Sequence, residues 1–423
     1  MNDYAKKIML ISLLLYEIYD ATAKTLSGLF TTLENGTFIG FLNNCFFKKR
    51  LFAGTPFIIL IFFLSACTST QRKTPNEKTI YLGFLSQFLS GESVESNSPY
   101  YSISQTAYFK KYSMDMKKIW DTIEKESYGP IRNWESINLK DKSYKIQESF
   151  YPFSGADFVN LYGFYPNAKK YIMIALEKSG KVTNPLDLSP EQIRKSLHSI
   201  KTLISEISER NYFRRKIMRE EFRNPHFSGT LPALIIFITK VGLEIEDITD
   251  VIINNEGSIA PKSENLSKNP EGVRIQFYDP KTNSSKELIY LSIMLNKDSH
   301  SAATTEGKFL SKLNNFGVMI KSAEYLFPRV NLDGLRDIIL QKSQTIIQDD
   351  SGIPFTFFKE DNWNIQLFGN YKKATLLANI PYQPVQSTLK EKYLKNSTPL
   401  NFSYGYGILR GKNESNLMLL FKK

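Results

Sequence analysis

The feature that most constrains this chain is a short apolar run, Leu51–Leu64 (LFAGTPFIILIFFL), with a basic cluster before it and a cysteine after it. Lys48–Arg50 precede the run, and the small residues Ser65 and Ala66 lead into Cys67. This three-part layout is typical of an export signal. The run has 14 residues, fewer than the roughly 18 to 20 that a membrane-spanning helix needs. We therefore predict that the folded part of the protein follows Cys67.

The tetrad Leu64-Ser65-Ala66-Cys67 resembles the lipobox of bacterial lipoprotein precursors. The resemblance implies that the Cys67 thiol, a nucleophile as its thiolate, is acylated with diacylglycerol. It also implies that a signal peptidase cuts before Cys67 and that the new amino terminus is acylated. Several acyl chains give stable anchoring where one chain is marginal. The alternative interpretation is that Cys67 is an ordinary buried thiol after an apolar helix.

The signal divides the chain into three predicted segments: a precursor segment over 1–66, the lipidated cysteine with a polar tether over 67–78, and a globular region over 79–423. The 47 residues before the basic cluster depart from the lipoprotein pattern. Either Met1 is a misassigned upstream start, or Ile8–Tyr19 is a second, interfacial apolar segment. Because Thr68 rather than aspartate follows the cysteine, the resemblance favours the outer membrane of a bacterial cell envelope.

The charge balance points to a membrane rather than to nucleic acid. The 54 Lys plus Arg exceed the 42 Asp plus Glu, giving a net charge of +12. Nucleic-acid binders cluster their basic residues, whereas these are scattered along the chain. We predict a membrane partner through the lipid anchor, no nucleic-acid partner and no cofactor, since the sequence has no His-Glu-x-x-His metal motif and no Gly-x-Gly-x-x-Gly phosphate loop. The only other cysteine, Cys45, precedes the predicted cleavage site, so the exported part would hold no disulfide.

Helical and strand patterns alternate along the exported part. Apolar residues at helical spacing predict helices over Ile103–Glu126, from Ser189 through Ile207, and over Leu231–Gly242. The second of these begins with a capping-box pattern, Ser189-Pro190-Glu191-Gln192. Strands are predicted at Tyr171–Leu176, Val251–Asn254, Val273–Tyr278, Leu288–Leu295, Phe355–Phe358, Asn364–Phe368, Phe402–Ile408 and Leu417–Phe421. The predicted fold is α+β or mixed α/β: a single large globular region with amphipathic helices packed on a mainly antiparallel sheet.

Several motifs of the exported part resemble those of an uncharacterised family of exported bacterial proteins. The motifs are Tyr151–Phe158 (YPFSGADF), Phe164–Asn167 (FYPN), Lys321–Leu326 (KSAEYL), Gln348–Pro354 (QDDSGIP), Phe368–Tyr371 (FGNY), Gly405–Gly407 (GYG) and Glu414–Leu417 (ESNL). They span most of the exported chain. The resemblance implies no established activity.

Two of these motifs supply a candidate polar site. Asp157 is predicted at the start of a helix, where its charge is favourable with the helix dipole. Asp349 and Asp350 are predicted at the end of a helix that carries Leu335 to Ile347, where negative charge is unfavourable. Such local conflicts favour a functional site, although Asp350-Ser351-Gly352 is also ordinary turn chemistry. Asp157, Asp349, Asp350 and Ser351 are therefore the candidate site residues, and no metal ligand is predicted.

These observations predict a membrane-anchored exported lipoprotein with a binding or structural role at the cell envelope. The alternative hypothesis is an envelope hydrolase in which Asp157, Asp349 and Asp350 converge as acid and base. Isolated histidines at 198, 226 and 300 and the absence of a Gly-x-Ser-x-Gly motif give histidine-based catalysis no support. Whether the three carboxylates meet is a question for the structure.

Overall fold

The structure is a computed structural model that describes residues 75–139, 145–210, 221–263, 269–371, 385–406 and 415–423. Contacts group Arg72–Lys423 into one compact unit. Cys67, residues 1–66 and part of the tether lie outside the described residues. The helices are α1 Glu77–Leu89, α2 Tyr101–Ser104, α3 Ala107–Ile123, α4 Gly129–Asn138, α5 Phe158–Phe164, α6 Pro190–Arg210, α7 Leu231–Lys240, α8 Thr305–Lys312, α9 Asp333–Lys342 and α10 Ser387–Asn396. A π-helical turn, Glu124–Tyr128, joins α3 to α4.

Ten strands form one sheet, and two short strands pair antiparallel in a second sheet. The strands are β1 Glu148–Pro152, β2 Lys170–Ala175, β3 Lys181–Val182, β4 Phe227–Ser228, β5 Glu244–Ile253, β6 Ile259–Pro261, β7 Glu271–Asp279, β8 Ser284–Ser292, β9 Phe316–Ile320, β10 Ser343–Gln348, β11 Trp363–Gly369 and β12 Asn416–Lys422. The order in the large sheet is β11-β12-β10-β9-β1-β2-β8-β7-β5-β6. The five central strands, β10, β9, β1, β2 and β8, are parallel, and the strand pairs towards both edges are antiparallel.

Helices cover both faces of this sheet and give it two hydrophobic cores. Successive residues of a strand point to opposite faces, so Ile347 of β10 belongs to the first core and Ile346 to the second. Helices α1, α3, α4, α5, α6 and α7 supply the first core, and α8, α9 and α10 supply the second. The predicted class, α+β or mixed α/β with helices packed on a mainly antiparallel sheet, is confirmed. The parallel centre was not predicted.

The best-marked elements form for the predicted reasons. In α6 the Ser189 N–H donates to Gln192 Oε1 at 2.8 Å and the Gln192 N–H donates to Ser189 Oγ at 3.3 Å, which is the reciprocal capping box. Helix α7 is buried from Leu231 to Ile238, as its uniformly apolar sequence predicts. The hairpin of β7 and β8 also forms, with Tyr278 paired to Ser285.

Three predicted elements are wrong. The helix expected to run into Gln348 ends at Lys342, because the Ser343 hydroxyl donates to the Ile339 carbonyl at 2.6 Å and the backbone turns extended. The β-branched Thr345–Ile347 then continue as β10, as their strand preference favours. Phe355–Phe357 form a 3-10 turn after Pro354 rather than a strand. Residues 402–406 of the predicted strand Phe402–Ile408 form a loop, and 407–408 lie outside the described residues.

Candidate functional site

The candidate residues meet at one edge of the sheet, where the parallel strands β1, β9 and β10 end. Asp157 lies five residues after β1, Lys321 directly follows β9, and Asp349 directly follows β10. From β1 the chain passes through α5 to β2, the neighbouring strand towards one edge of the sheet. From β9 it passes through α9 to β10, the neighbouring strand towards the opposite edge. This reversal makes the β1–β9 boundary a topological switch point, the usual ligand position in open parallel sheets.

Asp157 is buried and forms an ion pair with the buried Lys321. Its carboxylate also accepts hydrogen bonds from the Asn160 amide at 2.9 and 3.1 Å and from the Tyr151 hydroxyl at 3.3 Å. The residue occupies the N-cap position of α5 as predicted, yet its side chain makes no hydrogen bond to the helix backbone. Its carboxylate joins α5 to the end of β9 rather than capping the helix.

Asp349 is fully buried, and its carboxylate accepts hydrogen bonds from three loops. Its Oδ2 accepts the N–H groups of Ser322 at 3.3 Å and Tyr406 at 3.4 Å. Its Oδ1 accepts the N–H of Ser351 at 3.2 Å and the Ser351 hydroxyl. Because Asp349 follows a strand, the predicted conflict with a helix dipole does not exist. Backbone donors from the β9 loop, the β10 loop and residues 404–406 surround the charge instead.

Asp350 and Ser351 extend the same network. Asp350 accepts the Tyr325 hydroxyl at 2.8 Å and the Asn416 amide at 2.9 Å, and its N–H donates to Asn416 Oδ1 at 2.7 Å. The Ser351 hydroxyl accepts the N–H of Ala323 at 2.8 Å. These bonds connect the β10 turn to the β9 loop and to the first residue of β12. Asp349, Asp350 and Ser351 therefore belong to one network, and Asp157 contacts the same β9 loop through Lys321, the residue before Ser322.

Each of the six carboxylate oxygens accepts at least one hydrogen bond. Their charge is felt by buried tyrosines: burial, then the charges of Asp157 and Asp349, raise the pKa of Tyr151 well above its usual value. Burial followed by the charge of Asp349 and, more weakly, of Asp157 does the same for the pKa of Tyr404. The two aspartates thus act on the same tyrosine hydroxyls.

The loops at this edge are strained. Among the described residues other than glycine and asparagine, those with a left-handed backbone are Phe153, Ser322, Glu324 and Tyr325, all in the loops that follow β1 and β9. This conformation costs non-glycine residues free energy and persists only where the surroundings impose it. The carboxylate network supplies such constraints, since Asp349 and Asp350 bind Ser322 and Tyr325 directly.

Gly405 lets the C-terminal loop approach the Asp349 carboxylate. Its φ is +58°, and a Cβ at this position would lie 1.9 Å from Asp349 Oδ2. The close approach is to a carboxylate, and Gly405 lies in a loop rather than in a strand.

A small cavity of about 40 Å³ reaches Asp157 from the face of the sheet that carries α3, α5, α6 and α7. Asp157 and Asn160 lie at its buried end, and Glu126, Ser127 and Ser208 are half-buried around it. Ser127, in the π-helical turn, donates from its hydroxyl to Asn160 Oδ1 at 3.2 Å. A volume of this size suits one or two water molecules.

Sequence reasoning about the site omitted Lys321, Tyr325, Tyr404 and Asn416. Lys321 and Tyr325 stand in the KSAEYL motif, and a lysine directly after the apolar run Phe316–Ile320 is a usable signal of a buried cation. Tyr404 donates to the carbonyls of Ile320 and Ile347 at 3.2 and 3.4 Å, bridging the ends of β9 and β10. Asn416 stands in the ESNL motif, whereas Tyr404 lies in none of the motifs.

Within the described ranges, no group of three or more histidine, cysteine, aspartate or glutamate side chains is placed to hold a metal ion. No helix in the described part of the chain has the length and apolar character needed to cross a bilayer. No family model, curated protein or solved structure compared with the chain matches it.

Proposed function

We propose that this protein is a lipid-anchored exported protein that acts at the bacterial cell envelope by binding or scaffolding. The lipobox-like Leu64–Cys67 and the preceding basic and apolar segments support the anchor. The first described helix begins at Glu77, after Cys67 in the sequence, so cleavage before Cys67 would remove none of the described elements. The outer membrane is the proposed location, on the basis of Thr68.

One observation carries the binding or structural role: the six oxygens of Asp157, Asp349 and Asp350 are all engaged by donors of the same chain. A general base or nucleophile needs a lone pair directed at substrate or water. Carboxylates that already accept hydrogen bonds from three loops are better suited to hold those loops in place. The role that follows is a rigid platform at the carboxyl edge of the sheet.

The anchor is tested by expressing the full chain in a Gram-negative host and measuring the intact mass of the mature protein. We expect the wild type to begin at Cys67 and to carry acyl chains, and to enter the detergent phase on phase separation. Cys67→Ser is expected to lose both acylation and cleavage, while the matched control Cys45→Ser behaves as the wild type. A wild-type protein without acyl mass would refute the proposal.

The second candidate function, hydrolysis, is favoured by one feature, the cavity that reaches Asp157. A water molecule held there could be activated by the Asp157 carboxylate. This hypothesis expects measurable turnover of small ester or glycoside substrates that Asp157→Asn abolishes, with Asp361→Asn, an exposed carboxylate, unaffected. Turnover that survives Asp157→Asn would contradict it.

A further inference from the structure

Helix α3 presents a basic face to solvent. Lys110, Lys111, Lys117 and Lys118 are all exposed, and each lies three or four residues from the exposed Met114. Residues at this spacing share one side of a helix. We call these five residues the α3 lysine face.

The positive charge of this face is largely uncompensated. Asp121 pairs with Lys117 at 3.0 Å, and both side chains are more than half exposed. Asp115 is engaged by Lys201 of α6 at 3.1 Å. Lys110, Lys111 and Lys118 form no ion pair with another described residue, so the face keeps a local excess of cations.

The α3 lysine face lies on the helix that packs against α1, the first helix of the described part of the chain. The Phe88 and Phe109 rings stack with centroids 4.7 Å apart, and the Ser113 hydroxyl donates to the Gly91 carbonyl at 2.6 Å. Helix α1 begins at Glu77, ten residues after Cys67 in the sequence. A surface attached this closely to an anchored residue stays within reach of the membrane, since each extended residue spans roughly 3.3 Å.

We infer that the α3 lysine face docks on anionic lipid headgroups of the membrane that carries the anchor. This inference rests on the proposed lipid anchor. Lysines attract anionic phosphates at the bilayer surface, and Met114, with 59% of its surface exposed, is an apolar side chain suited to the interface between headgroups and acyl chains. The lysine face would orient the globular region where acyl chains alone only tether it.

The test uses the proposed mature chain, residues 67–423, with Cys67→Ser, labelled with an environment-sensitive fluorophore at Met114→Cys. Vesicles contain phosphatidylcholine alone or with about a third phosphatidylglycerol. We expect a blue shift with the anionic vesicles only, reversed by about 0.5 M NaCl, because salt screens such contacts. A label at Leu394→Cys is the control, since this exposed residue lies on α10, on the other face of the sheet.

Four Lys→Gln changes at 110, 111, 117 and 118 are expected to weaken vesicle binding at least tenfold. The matched control changes the exposed lysines at 297, 359, 390 and 395, which removes the same charge, and is expected to keep most of the binding. Equal losses in both variants, equal shifts at both labels, or binding to polyglutamate but not to vesicles would overturn the inference. Because the labelled chain lacks Cys67, a failure of acylation appears only in the mass of the wild type and is separate from this result.

Discussion

At the scale of single residues, the role of each buried carboxylate follows from the groups that donate hydrogen bonds to it or pair with its charge. Asp157 faces a lysine ammonium, Asp349 faces three backbone N–H groups, and Asp350 faces a tyrosine and an asparagine. Removing an acceptor from such a site leaves buried donors unpaired. The protein then loses stability by about the free energy of desolvating those donors.

The Asp157–Lys321 ion pair gives the first prediction. Asp157→Asn leaves the buried Lys321 ammonium without its counter-charge, so the free energy of unfolding is expected to fall by about 3 to 5 kcal/mol. Adding Lys321→Met removes the stranded charge and is expected to recover at least half of the loss. Urea unfolding of both variants and of the double variant measures this coupling. Additive losses would show that the pair is not coupled.

Gly405 gives the second prediction. Gly405→Ala places a methyl group against the Asp349 carboxylate in a left-handed backbone, so stability is expected to fall by at least about 2 kcal/mol. Gly83→Ala is the matched control, because Gly83 lies within α1 and a Cβ there meets no atom within 4 Å. That change is expected to raise stability by up to about 1 kcal/mol. Thermal unfolding of the two variants compares them, and a neutral Gly405→Ala would contradict the close approach.

At the scale of elements, strongly periodic segments were predictable and short central strands were not. Helices α6 and α7 carry full amphipathic or apolar patterns, and the turn between β7 and β8 has a clear polar sequence. Strand β10, by contrast, follows α9 without a gap, and Ile346 and Ile347 fall at spacings that also continue the helical pattern of Leu335 and Ile339. Only the tertiary pairing of β10 with β9 and β12 decides between helix and strand there.

The β7–β8 hairpin contains a buried ion pair between Asp279 and Lys286, which gives a pH-dependent prediction. Lys286 donates to Asp279 at 2.8 Å and also to the Pro166 carbonyl. Burial opposes ionisation of Asp279, but the hydrogen bond and charge of Lys286 outweigh it and hold the pKa of Asp279 below its usual 3.8. A carboxyl with a lowered folded pKa stabilises the protein above about pH 4, and this stability is lost as the pH falls through the folded pKa.

Asp279→Asn is therefore expected to cost about 3 to 5 kcal/mol at pH 7, since it strands the buried Lys286 charge. The difference from wild type should shrink as the pH falls below about 4, where the wild-type carboxyl also becomes neutral. Urea unfolding from pH 7 to pH 3 measures both curves, with Asp361→Asn as the exposed control. Parallel curves for wild type and Asp279→Asn would refute the assignment.

At the scale of the whole molecule, the position of the candidate site depends on strand order. Asp157 and Asp349 are far apart in sequence and come to the same edge of the sheet because β9 pairs in parallel with both β1 and β10. No local sequence pattern encodes this strand order. The sequence therefore identified these aspartates as candidates but did not predict that they lie at the same edge of the sheet. Asp349 and Asp350 were nominated for a helix end that does not exist, and the strained loop at Ser322–Tyr325 had no sequence signal beyond its motif.

The central claim, that these carboxylates brace the loops rather than react, is tested most directly by the unfolding free energy of Asp349→Asn. An amide there keeps one acceptor oxygen and turns an N–H group towards backbone donors. We predict a loss of about 2 to 4 kcal/mol relative to wild type, measured by urea unfolding with Asp361→Asn as the control. Unchanged or increased stability would contradict the account, because residues that carry activity are commonly held at the expense of stability.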